Sequence, residues 1–195
     1  EKFTGDDPRK VPMKIFPAVH YSMGGLWVDY DQMTNIPGLF AAGECDYSQH
    51  GANRLGANSL LSAVFGGSVA GPNAVKYMKG LSTHAEDLDD SIYENEVKLE
   101  QEKWEQTLAM KGTENAYLLH KELGEWMTDN VTVVRYNDKL EETDRKIQEL
   151  MERYENINMD DTQRWSNQGA SFTRQLKNML YLARVITLGA LRRNE

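Results

Sequence analysis

The feature that most limits the fold is a break in composition near Leu81. All five prolines and eleven of the fifteen glycines lie before it. Proline removes a backbone donor and glycine weakens a helix interior, so long helices avoid both. Residues 1–81 carry seven Lys/Arg and seven Asp/Glu, which cancel. Residues 82–195 carry fifteen and twenty-three, which supplies the whole net charge of −8. The first stretch therefore reads as strands, tight turns and one Gly-rich helix. The second reads as long charged helices. The fold class is α+β, mainly α, in two domains, 1–81 and 82–195.

Apolar residues recur at i, i+3, i+4 and i+7 in four places after the break, the mark of amphipathic helices. The spacing predicts helices over 86–111, 114–130, 137–156 and 168–193. Their core faces are Tyr93, Val97, Trp104 and Leu108, then Leu119, Leu123, Trp126 and Met127. The third has Leu140, Ile147, Leu150, Met151 and Tyr154, and the fourth Phe172, Leu176, Met179, Leu180, Ala183 and Ile186. Trp165 is also expected in the core. Short connections predict an antiparallel bundle.

Charge and cysteine content narrow the function classes. The acidic balance argues against nucleic acid as a partner. A single cysteine, Cys45, allows no internal disulfide. No run approaches the roughly 20 apolar residues of a membrane span. The polar start, EKFTGDDPRK, does not read as a signal peptide.

Three stretches before Leu81 carry candidate chemistry. In AVHYSMGGLWVD (18–29), Ala18–Val19 and Leu26–Val28 read as strand. Gly24–Gly25 lets backbone approach a ligand, and His20 can donate to a carboxylate. In TNIPGLFAAGECD (34–46), Pro37–Gly38 turns the chain and Leu39–Ala42 reads as a short buried strand. Glu44 then stands at its carboxyl end, where open sheets bind ligands. In HGANRLGANSLL (50–61), Asn53, Asn58 and Ser59 are N-cap types ahead of a buried helix bearing Leu60, Leu61, Ala63, Val64 and Phe65. Arg54 beside that helix end suggests an anion site. Taken singly, each has an ordinary structural reading: a turn-capping His, an exposed acid, an exposed Arg.

In this order HYSMGG, GLFAAGE and HGANRLGANSLL resemble the flavoprotein subunit of succinate dehydrogenase and fumarate reductase, and the acidic helical part continues the resemblance. It implies that the chain is a C-terminal piece. Residues 1–81 would be the returning segment of an FAD-binding domain, and 82–195 the helical domain. It implies that His20 and Arg54 bind the two carboxylates of succinate or fumarate. Glu44 would meet the FAD ribityl chain, and Ser59 and Leu60 the isoalloxazine ring. A small cation could sit on carbonyls near Ser22, Met23 and Gly24; no metal-ligating side chains are assigned. The proton-transferring Arg is expected outside this chain. So is the pyrophosphate site, since GGSVAG (66–71) has the wrong spacing for G-x-G-x-x-G. The piece alone is expected to be inactive and to retain no FAD, and apolar surface in residues 15–75 could drive self-association.

The resemblance further implies an iron–sulfur subunit and a membrane-anchor subunit as partners, with peripheral attachment on the cytoplasmic side. Two alternatives stay open: a helical subunit-docking module without its own activity, and a fragment of L-aspartate oxidase. Met23 leans toward the dehydrogenase.

Overall fold

The computed structural model describes residues 5, 7–13, 20–47, 50–51 and 53–193. The chain divides into two compact units, Glu1–Leu88 and Asp89–Glu195. The stretch after Leu81, with its short 3-10 turn Ala85–Asp87, goes with the first unit.

The first unit holds one long helix, α1 (Asn58–Lys79), with Pro72 inside it. The expected strands reduce to isolated bridges among the described residues, Leu26 with Asp46 (parallel) and Met33 with Phe40 (antiparallel). Local side chains bend the chain too soon for longer ladders. Asp29 Oδ1 accepts from the N–H groups of Asp31 and Met33. Thr34 Oγ1 accepts from Ile36 N–H. Such Asx and Thr turns compete with sheet pairing. The expected strand at Ala18–Val19 lies outside the described residues.

The helix at α1 is where expected, but its buried face is not. Only Ser62 and Gly66 are buried. Leu60, Leu61, Val64 and Phe65 are more than half exposed. The reason is the neighbour: the turn at Ala42–Asp46 packs on the small residues. A Cβ on Gly66 would stand 3.0 Å from Ala42 Cβ and 3.2 Å from the tip of the Gln32 amide.

The second unit contains α2 (Asp90–Leu108), α3 (Ala116–Asn130), α4 (Asn137–Tyr154) and α5 (Gln168–Arg193). Three begin on side-chain caps. Asp89 accepts from Ser91 N–H, Asn115 from Tyr117 and Leu118, and buried Asn167 from Ala170. Each such cap is worth about 1 kcal/mol. Contacts fix the directions. Glu155 meets Lys177 and Asp144 meets Arg184, so α4 and α5 run antiparallel. Arg153 meets Glu114 and Lys146 meets Glu122, so α3 and α4 do too. Phe172 stacks on Tyr117 while Thr187 meets Met127, so α3 and α5 run parallel.

The core is built from Leu119, Leu123, Ile147, Leu150, Leu176 and Leu180, with Ile157 and Met159 from the strap after α4. Burying each is worth about 1.5–3 kcal/mol. The strap pairs with residues 110–114: Gly112 N–H donates to Ile157 O, and Met159 N–H to Met110 O. Three expectations fail here. Tyr93 and Val97 at the start of α2 are exposed, because only the end of that helix, with Leu108, joins the core. Thr187 rather than Ile186 turns inward on α5. Trp165 is 88% exposed, on the loop before α5 rather than in the core. Among the described residues no helix is long and apolar enough to cross a membrane.

Candidate functional site

The candidate residues sit on a frame of turns. Leu26 N–H donates to Cys45 O at 2.8 Å and Tyr47 N–H to Leu26 O at 3.0 Å. This brings Gly25 so near the Cys45 carbonyl that a Cβ there would overlap it. A glycine is therefore required at 25, for close approach to the chain's own backbone rather than to a ligand, while a Cβ on Gly24 would meet nothing within 4 Å. Gly43, at φ +85°, opens the 3-10 turn Gly43–Cys45. Buried Asp46 locks that turn, accepting from Gly43 N–H at 3.1 Å. The buried Gln32 amide, with its nitrogen toward Ala41 O and Asp46 Oδ2, donates to both.

Glu44 rides on this turn. Its Oε1 accepts from Ser22 N–H at 2.9 Å, and the side chain is otherwise exposed. An exposed carboxylate with one oxygen engaged can still accept from a hydroxyl.

Arg54 lies in the loop before α1, half-buried. Its guanidinium carbon stands 4.7 Å from the centroid of the Tyr21 ring, a cation–π arrangement. Nη1 donates to Leu55 O at 3.0 Å. Nε is buried and has no partner among the described residues. An orphaned buried donor of this kind is uncommon and calls for a ligand or a neighbour. Tyr21 is held in turn. Its hydroxyl is 3.3 Å from His50 Nε2, and the two rings meet edge to face at 5.5 Å. His50 Nε2 is also 3.3 Å from Ser62 Oγ, and Ser62 Oγ donates to Ser59 O at 3.0 Å.

Helix α1 begins without the cap that its sequence predicts. Its N-cap is Ala57, left-handed at φ +66°, with no side-chain cap. Asn58 N–H donates to Leu55 O instead. Ser59 and Leu60 thus occupy an uncapped first turn, whose N–H groups point along a positive helix end. Ser59 is half-buried and Leu60 is 76% exposed.

The tripeptide 20–22 links the candidates. Tyr21 underlies Arg54, and Ser22 N–H holds Glu44. His20, immediately before them in sequence, is exposed, and among the described residues no hydrogen bond joins it to Arg54. Arg54 and Ser59 are brought together through Tyr21, His50 and Ser62. These three were not picked out as site residues from the sequence. His50 opens the same stretch as Arg54, and Tyr21 follows His20. That adjacency was the available signal, but pairings across 29 and 12 residues leave no spacing mark. Among the described residues no group of three or more His, Cys, Asp or Glu could hold a metal ion.

A glycine pressed against backbone, an Arg beside an uncapped helix end and an exposed carboxylate on a Gly turn are features that a cofactor-binding segment can use. Sequence comparison agrees: residues 1–60 match the FAD binding domain family model. Residues 120–195 match the model described as fumarate reductase flavoprotein C-term. The chain is 76% identical over 195 residues to the succinate dehydrogenase flavoprotein subunit of Bacillus subtilis (strain 168), covering 100% of this chain and 33% of that protein. It is 31% identical over 194 residues to the fumarate reductase flavoprotein subunit of Escherichia coli (strain K12), covering 99% and 32%.

Among solved structures, a variant of E. coli quinol fumarate reductase superposes with a TM-score of 0.87 at 31% identity, over 99% of this chain and 32% of that one. Mycobacterium smegmatis Sdh1 in complex with UQ1 gives 0.75 at 34% identity, over 90% and 29%. The chain belongs to the succinate dehydrogenase and fumarate reductase flavoprotein family, and spans about a third of the length of the relatives it matches.

Proposed function

We propose that this chain is the substrate- and flavin-facing segment, with the helical domain, of an FAD enzyme that interconverts succinate and fumarate. Residues 1–81 are its part of the FAD domain and 82–195 the helical domain. The observation that carries the reading is the setting of Arg54. Its planar fork lies on an aromatic face beside an uncapped helix end, with Nε unspent. That combination suits one end of a dicarboxylate.

His20 takes the other carboxylate. Glu44 accepts from a hydroxyl of the ribityl chain. The N–H groups of Ser59 and Leu60 meet the edge of the isoalloxazine ring, where the helix end favours negative charge. These groups fit the cofactor: an acceptor for a hydroxyl, and donors for a ring edge. FAD, when bound, supplies the acceptor for hydride from the substrate's methylene carbon. The residues here bind and orient, and proton transfer falls to an Arg outside this chain. Electrons pass to an iron–sulfur subunit, and a membrane-anchor subunit holds the assembly at the cytoplasmic face.

The test is Arg54→Lys in the flavin-loaded holoenzyme, with succinate and an acceptor dye. An ammonium cannot reproduce the two-pronged grip. Losing such a contact costs about 2–5 kcal/mol, so kcat/KM should fall by on the order of 100-fold. Near-normal turnover would remove Arg54 from the substrate site. Turnover of L-aspartate in place of succinate would move the reading to amino-acid oxidation.

A further inference from the structure

We propose that Tyr21 is the positioning residue for Arg54, and that His50 and Ser62 anchor it to the first turn of α1. The proposal rests on the reading of Arg54 as the dicarboxylate ligand.

An arginine meant to grip an anion poses a problem of restraint. Its long side chain must be held, yet a carboxylate partner would neutralise the charge and occupy its donors. Among the described residues Arg54 has no carboxylate partner; the one hydrogen bond it makes is from Nη1 to the adjacent Leu55 carbonyl. An aromatic face solves the problem differently. It attracts the cation through the ring and leaves the N–H groups in the guanidinium plane free. The Tyr21 ring, 4.7 Å from the guanidinium carbon, is placed to do this.

The ring is itself fixed from behind. Ser62 is 3% exposed, and its hydroxyl proton is committed to Ser59 O at 3.0 Å. Ser62 Oγ can then only accept, which places a proton on His50 Nε2. Tyr21 Oη becomes the second acceptor of the same N–H. Two equal distances of 3.3 Å are what a shared, three-centre bond gives. The edge-to-face contact of the two rings, at 81°, adds a geometric lock. Arg54 is thus referred, through two side chains, to the same helix turn that carries Ser59 and Leu60. A substrate grip and a ring-edge contact would share one rigid reference.

The experiment measures the dissociation constant of malonate, a non-reacting dicarboxylate, from the flavin difference spectrum of the holoenzyme. Tyr21→Leu should weaken malonate about tenfold at unchanged flavin content; Tyr21→Phe keeps the ring face and its edge contact with His50 but loses the hydroxyl bond, so it should recover part of that loss and not all of it. Stepwise ring fluorination of the phenylalanine in Tyr21→Phe drains the ring face without changing its shape, so it avoids any folding defect. Affinity should fall with each fluorine. A flat series, or a Phe variant as weak as the Leu variant, overturns the proposal. Arg54→Lys is measured alongside. If it loses malonate while the fluorine series is flat, the platform alone fails. If it keeps wild-type affinity, the dicarboxylate reading fails and the platform falls with it.

Discussion

Gly112 has an ordinary place in the sequence and no freedom in the structure. A Cβ there would overlap the carbonyl of Asn156, which also accepts from the N–H groups of Thr113 and Glu114. Backbone cannot step aside as a side-chain tip can. Gly112→Ala should therefore cost about 1–3 kcal/mol, as overpacking does, and lower the urea midpoint of the purified chain. An unchanged midpoint would mean that the strap can shift off residues 110–114. The same contrast holds at the candidate site. Arg54 and Glu44 stood out in sequence only because the ordered motifs around them carry the family resemblance; taken singly each has an ordinary reading. Tyr21, His50 and Ser62 did not, because each is an ordinary residue until folding stacks one on the next.

At the scale of elements, α3 and α4 are joined by a cluster of charges. Arg153 grips Glu114 with two nitrogens, at 2.8 and 3.1 Å, and reaches Glu122 at 2.9 Å. Lys146 pairs with Glu122 and Glu149. The hydrogen bond from Arg153 holds the Glu114 carboxyl below its usual range. The bond from Lys146 does the same for Glu122 and Glu149. Because these folded pKa values are depressed, their stabilisation is present above the ordinary carboxylate range, about pH 4.3. It is lost as pH falls through the lowered values. The melting temperature should hold near neutrality and drop in acid, and Arg153→Met should shallow that acid limb. An equally steep limb in the variant would show that the Arg153–Glu114 pair contributes nothing to the titration.

The helices themselves were largely legible, since α3, α4 and α5 bury the faces that their periodicity marks. The buried faces at the start of α2 and along α1 were not. Periodicity shows which face is apolar; it does not show whether another element covers it. Leu60, Leu61, Val64 and Phe65 form such a face on α1 and stand exposed.

For the whole molecule, flavin retention is the decisive property. Glu44 and Leu60 are exposed, and the chain has no G-x-G-x-x-G to cradle a pyrophosphate. The purified chain should be colourless and should leave the spectrum of added FAD unchanged. A bound-flavin band would show that the turn frame and the end of α1 suffice to hold the cofactor. By itself the sequence determined most of the helical half and the Gly-dependent turns. Those depend on local spacing and on backbone freedom, which neighbouring residues decide. Only the tertiary structure decided that Ala57 leaves α1 uncapped, that Trp165 faces outward and that Tyr21 carries Arg54. Those depend on which distant segments fill the space beside a residue, and no local pattern records that.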